Sequence, residues 1–297
     1  MAGAALALLA YVAFVTIPAA SGAQDASEVE VLRTTADSAD RMTVPVQIGD
    51  KGPYRFLIDT GSQKTALSTD LALRLALPAH DKLRIVGVSG AQITDTAVVD
   101  ELALGRRSFY GLTVLLFQSE HMGADGIVGL DSLQSQRVLL DFAQSRMAVG
   151  DAKTLGGNSG YDIVVTARRR LGQLIMAQAA IDGIKTDVII DTGSDTSIGN
   201  RALQRALGRR GALGTAVLTS VTGQEATADM GYARELAVGD VNIKNLVIAY
   251  TDSPAFDALG LTRRPALMLG MRELRLFKRV AIDFSTRKVM FDLPSGF

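Results

Sequence analysis

Phe56-Leu57-Ile58-Asp59-Thr60-Gly61-Ser62 is answered 132 residues later by Val188-Ile189-Ile190-Asp191-Thr192-Gly193-Ser194. Each copy is an apolar run that ends in an aspartate and a small-residue turn, as at the end of a buried strand. One Asp-Thr-Gly-Ser alone is an ordinary turn, and chance supplies it in about one chain of this length in several hundred. Two copies in matching surroundings point to a duplicated fold, and other landmarks repeat in the same order. Glu101-Leu102-Ala103-Leu104-Gly105 is matched by Glu235-Leu236-Ala237-Val238-Gly239, a shift of 134. Ile127-Val128-Gly129-Leu130 parallels Met268-Leu269-Gly270-Met271 at 141, and Leu140-Asp141-Phe142 parallels Ile282-Asp283-Phe284 at 142. The shift drifts by loop insertions only, so both halves are expected to share one fold.

Outward from the two motifs the pattern is mostly strand. Met42 to Ile48 is rich in β-branched residues, turns at residues 49–53, and returns through Tyr54 to Ile58 to deliver Asp59. Leu174 to Ile181, a turn at Asp182-Gly183, and Lys185 to Ile190 do the same for Asp191. Later strands are expected at residues 112–117, 138–142, 246–250 and 280–284. One short helix per half is expected, residues 71–77 capped by Thr69 and residues 202–207 capped by Asn200 and closed by Gly208. The class is all-β, with closed or sandwiched sheets in two lobes. The lobes are expected over residues 41–149 and 161–297, joined by the glycine-rich linker 150–160.

Composition narrows the function. The 297 residues are 47% hydrophobic, enough for two lobes with real cores. The 31 basic and 31 acidic residues cancel, which argues against a nucleic-acid partner. No cysteine is present, which excludes disulfides and thiolate chemistry. His80 and His121 lack the paired spacing of a metal site and read as ordinary surface or loop residues, so no metal or cofactor is implied. Residues 4–20 are almost wholly apolar and uncharged, with Ser21-Gly22-Ala23 after them. That is the pattern of a signal peptide over 1–23 or, if uncleaved, of a membrane anchor. Either way the body is expected outside the cytoplasm, periplasmic or extracellular, after a polar, flexible stretch over 24–40.

The chemistry follows from bringing the two aspartates together. If the halves pack about a pseudo-twofold axis, two carboxylates in contact cannot both ionise cheaply and share one proton in mild acid. Such a pair is base and acid at once, able to activate a water held between them and to hydrogen-bond a peptide carbonyl. Gly61 and Gly193 permit the tight turns and close backbone approach. Thr60 and Thr192 are expected to bond across the interface, and the Ser62 and Ser194 hydroxyls to reach the outer carboxylate oxygens.

At these residues the chain resembles the aspartic peptidases of the pepsin and retropepsin superfamily, and more narrowly the bacterial retropepsin-like proteins. The resemblance covers residues 42–149 and 172–293 and rests on the paired Asp-Thr-Gly-Ser and on residues 125–130 and 266–271. It implies a bilobal acid-protease fold, with Asp59 and Asp191 catalytic and sharing a proton as the family's paired aspartates do. It also implies a strand threading beside each catalytic loop, where glycine avoids a clash. Mobile β-hairpin flaps are implied at residues 85–90 and 220–223, with Val86, Gly87, Gly90, Val221 and Gly223 over the substrate. The flaps lack the tyrosine of pepsin, and each half is shorter than a pepsin lobe. The expected activity is endopeptidase, on an extended peptide or protein bound between the lobes of a monomer that is internally a pseudo-dimer. The alternatives are an inactive peptide-binding or scaffold protein of the cell envelope with the same fold, and two chains pairing half to half.

Overall fold

A computed structural model describes residues 31–33, 35–36, 42–134, 136–208 and 211–294. The signal or anchor segment expected at 1–23 lies outside the described residues, as does most of 24–40, of which the short strands Val31–Arg33 and Thr35–Ala36 are described. Among the described residues no helix is long and apolar enough to cross a membrane.

Alternation sets the outer strands. In Met42–Ile48 the side chains of Val44, Val46 and Ile48 are buried while Pro45 and Gln47 face solvent. Lys51–Ile58 pairs antiparallel with it and ends in Phe56, Leu57 and Ile58, all buried. A continuous apolar run is what a strand covered on both faces requires. Here it lies parallel to Gly126–Val128, with Ile58 opposite Val128. Ile184–Ile190 repeats the arrangement against Ala266–Leu269, with Ile190 opposite Leu269.

Among the described residues each lobe is an eight-stranded sheet with the same strand order. In the first lobe Met42–Ile48 also pairs with Ala91–Leu104, so the sheet curls back on itself. In the second, Gln173–Ile181 closes on Glu225–Val238. A third sheet of six strands is built from both lobes. At its middle Arg137–Asp141 runs antiparallel to Arg279–Asp283, with Leu139 opposite Ala281. One hydrophobic cluster extends through it, from Val44 and Leu102 in the first lobe through Leu140 and Val280 to Val188 and Leu236 in the second. The molecule is therefore bilobal and all-β, with the lobes fused through a shared sheet.

A buried ion pair crosses that sheet. Arg137 and Asp283 are both fully buried and meet at 2.8 Å. The same guanidinium bonds Asn158 Oδ1 at 2.6 Å and the Gly157 carbonyl. Residues 150–160 are thus tied down, with Leu155 buried and Asp151 paired to Arg107 at 3.1 Å.

The helices depart from expectation. Among the described residues each half holds three short ones: Thr69–Arg74, Ser119–Met122 and Leu130–Leu133, then Arg201–Leu207, Pro254–Ala258 and Met271–Leu274. Single turns are too short for periodicity to mark them. The cap of Thr69–Arg74 is Ser68, whose hydroxyl accepts from the Leu71 amide, and not Thr69. Asn200 caps Arg201–Leu207 by accepting from the Leu203 amide, and Gly208 closes it.

Candidate active site

The two Asp-Thr-Gly-Ser loops meet at the seam between the lobes. Each begins where a central strand ends, the Asp59 amide donating to Val128 O at 3.1 Å and the Asp191 amide to Leu269 O at 3.0 Å. The Thr60 hydroxyl donates to Ile190 O at 2.9 Å, and the Thr192 hydroxyl to Ile58 O at 2.6 Å. In return the Thr60 amide donates to Thr192 Oγ1 at 3.0 Å and the Thr192 amide to Thr60 Oγ1 at 3.3 Å. Both threonines are buried. Removed from water, these bonds fix the register of one loop on the other.

The glycines bring the carboxylates to the same place. A Cβ on Gly193 would stand 2.3 Å from Asp59 Cγ, and one on Gly61 2.6 Å from Asp191 Oδ1. Each glycine therefore supports the carboxylate of the opposite lobe. Asp59 Oδ1 accepts from the Gly61 and Ser62 amides at 2.8 and 2.9 Å, and Asp191 Oδ1 from the Gly193 amide at 3.1 Å. Asp191 is buried and Asp59 half-buried.

The serine hydroxyls do something other than expected. Ser62 Oγ donates to Lys64 O at 2.7 Å and Ser194 Oγ to Thr196 O at 2.8 Å. Each thus bonds the carbonyl two residues on rather than a carboxylate. A short hydroxyl side chain satisfies its own turn more readily than a distant acceptor. What reaches Asp59 from Ser62 is the backbone amide.

Beyond each loop the chain passes close to the glycine of the hydrophobic–hydrophobic–Gly element. A Cβ on Gly129 would lie 2.4 Å from Lys64 C and O, and one on Gly270 2.8 Å from Asp195 O. Any other residue would push the Asp-Thr-Gly-Ser loop away.

Over the carboxylates lies a cleft of about 360 Å³, lined by Asp59 and Asp191 and by residues of both hairpin tips. The first hairpin joins Ala79–Val86 to Ala91–Leu104, the second Ala212–Thr219 to Glu225–Val238. They cross over. Val86 and Val88 pack with Ile189, Ile198 and Phe256 of the second lobe. Val221 packs with Leu57, Met122 and Ile127 of the first. The tips touch, a Cβ on Gly90 meeting Gln224 Oε1 at 2.9 Å. Gly223 has φ +77°, a turn conformation open to glycine. Gly87 donates its amide to Gly90 O at 2.6 Å.

Two groups at this site, His121 and Gln173, went unread in the sequence. His121, taken for an ordinary surface residue, lines the cleft. A Cβ on Gly223 would stand 2.5 Å from its Nε2. Gln173 is fully buried and donates its Nε2 across the seam to Gly61 O at 2.7 Å. Ser89 Oγ is buried at the rim of the cleft with no hydrogen-bond partner among the described residues. Neither His121 nor Gln173 belongs to a motif, since each is placed by a contact between lobes; Ser89 stands in the expected flap segment 85–90. His80, by contrast, is exposed on an outer strand.

A family model described as aspartyl protease matches the chain twice, over residues 44–132 and 177–272. No curated protein matches the sequence.

Proposed function

Because the chain belongs to the aspartyl protease family, we propose that it is an endopeptidase in which Asp59 and Asp191 activate one water between them. The observation that carries this reading is the reciprocal packing of Gly61 on Asp191 and Gly193 on Asp59, with the threonines bonded across the seam. Two carboxylates so close share a proton over a range of mildly acidic pH.

The ionised member takes a proton from the water, and the water oxygen attacks the peptide carbon. The protonated member hydrogen-bonds the carbonyl oxygen and transfers its proton there, leaving a neutral tetrahedral diol. Return of a proton from the diol to one carboxylate and delivery of the other to the leaving nitrogen break the C–N bond. The products are an acid and an amine, and no acyl-enzyme forms. The loop amides on Oδ1 of each aspartate hold the carboxylates still, so little reorganisation is needed at the moment of reaction.

The substrate is an extended peptide or protein segment lying between the hairpins and the dyad, paired by backbone hydrogen bonds as an added strand. Ser89 Oγ, buried at the rim, is a group such a peptide would satisfy. Its entry requires the hairpin tips to part, since Gly90 lies against Gln224. The chain works as a monomer and outside the cytoplasm, the latter on the strength of the apolar run at residues 4–20.

The test is the purified full chain with a diverse peptide library between roughly pH 4 and 7, where one proton can be shared. Cleavage is expected, lost in Asp59→Asn and in Asp191→Asn alone with folding unchanged, and insensitive to a metal chelator. Substantial activity in either variant refutes the dyad. A well-folded wild-type chain that binds peptides and cleaves none is instead a binding protein.

A further inference from the structure

Behind each catalytic loop lies a second carboxyl group that the hydrolytic scheme leaves unused. In the first lobe Thr65, six residues past Asp59, donates its hydroxyl to Asp131 Oδ1 at 2.7 Å and its amide to the same oxygen at 3.0 Å. That hydroxyl accepts in turn from the Gly129 amide at 3.2 Å. In the second lobe Ser197, six residues past Asp191, donates its hydroxyl to Glu273 Oε2 and accepts from the Gly270 amide at 3.0 Å. Thr65, Ser197 and Glu273 are buried.

The two relays are alike in contact and unlike in composition. The acid stands two residues after Gly129 in one lobe and three after Gly270 in the other. One relay is Asp with Thr, the other Glu with Ser. Duplication alone copies residue and position together. A contact kept while both changed has a role of its own.

That role is legible in the connections. Leu130 N donates to Ser62 O at 2.8 Å and Asp131 N to Gln63 O at 3.2 Å. Met271 N donates to Ser194 O at 2.8 Å and Arg272 N to Asp195 O at 3.0 Å. Each loop is thus strapped at its middle by backbone bonds and at its far end by a carboxyl–hydroxyl–amide relay. We propose that Asp131 and Glu273 are positioning residues, which through Thr65 and Ser197 set how far each catalytic loop reaches into the seam. The inference rests on the dyad reading above and deepens it.

The surroundings bear on their protonation. Asp131 faces the Lys64 ammonium at 3.9 Å and the Thr65 and Ser132 hydroxyls. Glu273 faces the Ser197 hydroxyl, with Arg272 and Asp195 as the charges near it. Burial pushes both acids above the ordinary carboxyl range, and the hydroxyls and cations offset this only in part. A neutral acid still accepts the hydroxyl bond, so the relay holds in acid; on ionisation desolvation opposes the charge while the hydroxyl bond to it strengthens.

The experiment uses the full chain carrying Asp131→Asn, Asp131→Leu, Glu273→Gln or Glu273→Leu, with kcat and KM measured across pH. The leucine variants are expected to lose about 10- to 100-fold in kcat with KM nearly unchanged, the effect of a misplaced reacting group. The amide variants keep an acceptor and cannot ionise. They are expected to keep nearly full kcat across the pH range in which the wild type is active. Leucine variants with wild-type kcat overturn the proposal, as do amide variants impaired like leucine at every pH. Should a leucine variant fail to fold, Thr65→Val and Ser197→Ala break the same relays and carry the same kcat expectation. Should the wild type cleave nothing, the dyad reading fails, and hydrogen exchange decides the inference separately. Thr65→Val is then expected to speed exchange of the Gly61 and Ser62 amides by about tenfold or more, leaving the core strand amides unchanged. Unchanged exchange at Gly61 and Ser62 overturns it.

Discussion

Gly193→Ala tests the seam where it is tightest. The new methyl carbon would stand 2.3 Å from Asp59 Cγ and Oδ2. Carbon atoms rest about 3.5–4.0 Å apart, so something must yield by roughly 1 Å. Asp59 cannot swing aside without leaving the Gly61 and Ser62 amides, which hold it at 2.8 and 2.9 Å. The lobes must therefore part and stretch the threonine bonds across the seam. A displacement of about 1 Å at reacting groups costs on the order of 100-fold in rate. Overpacking of a fitted interior also costs about 1–3 kcal/mol of stability. The expected result is a folded protein by circular dichroism, somewhat less stable, with kcat on a cleaved peptide reduced about 100-fold. Gly61→Ala is the internal comparison. Its methyl would meet Asp191 Oδ1 at 2.6 Å, a side-chain end held by the Gly193 amide at the longer 3.1 Å, so a smaller loss is expected. Wild-type kcat in Gly193→Ala, or the reverse order of the two variants, would refute the reasoning.

Thr192→Val orphans the buried Ile58 carbonyl and the Thr60 amide, at about 1–3 kcal/mol each in urea unfolding. Arg137→Leu strands a carboxylate fully buried in the shared sheet, and a loss of about 3–5 kcal/mol is expected by the same measurement. Burial raises the pKa of Asp283, but the Ser285 hydroxyl, the Thr286 amide and Arg137 outweigh it and bring the group to about 2, below its ordinary 3.8. Its contribution to stability is therefore complete above pH 3.8 and lost as pH falls through about 2, and melting curves of Asp283→Asn should lack that acid limb. Asp131 is shifted upward by burial, so its stabilising contribution is greatest below its ordinary pKa of 3.8 and is lost as pH rises. Asp131→Asn should flatten that decline, and an unchanged melting profile would contradict it.

How far the sequence could be read depended on the range of each interaction. The strands leading to Asp59 and Asp191 were legible because apolar runs and turn residues are local signals, and the duplication was legible because it repeats them. The cross-seam bonding of Thr60 and Thr192 followed from placing two identical loops about one axis. The serine hydroxyls were misread because the carbonyls of Lys64 and Thr196 compete for them at shorter range. The helix Ser119–Met122 and the place of His121 in the cleft depend on where the opposite hairpin lands, which no local pattern encodes. Asp131 and Glu273 were within reach, since an acid follows the Gly129 and Gly270 elements in both halves. Their different offsets hid the correspondence.

The residues that bring the two aspartates together are kept alike in both halves. Thr60 and Thr192, Gly61 and Gly193, and the two aspartates are identical in type and position, and each touches the opposite lobe. There a change in one half must be answered in the other, because the partner atom belongs to a different stretch of chain. The relays behind the loops lie within one lobe, so Thr65–Asp131 and Ser197–Glu273 could diverge as pairs while keeping one contact. Farther out the halves differ freely. Gln63 donates to the Leu171 carbonyl where Asp195 pairs with Arg272, and Gln173 grips Gly61 from one side. A homodimer would be obliged to keep every such position equal. With both lobes in one chain, contacts away from the paired aspartates are released from that constraint, and the cleft around them is free to become asymmetric. His121 on one wall and Asp195 on the other are its visible result.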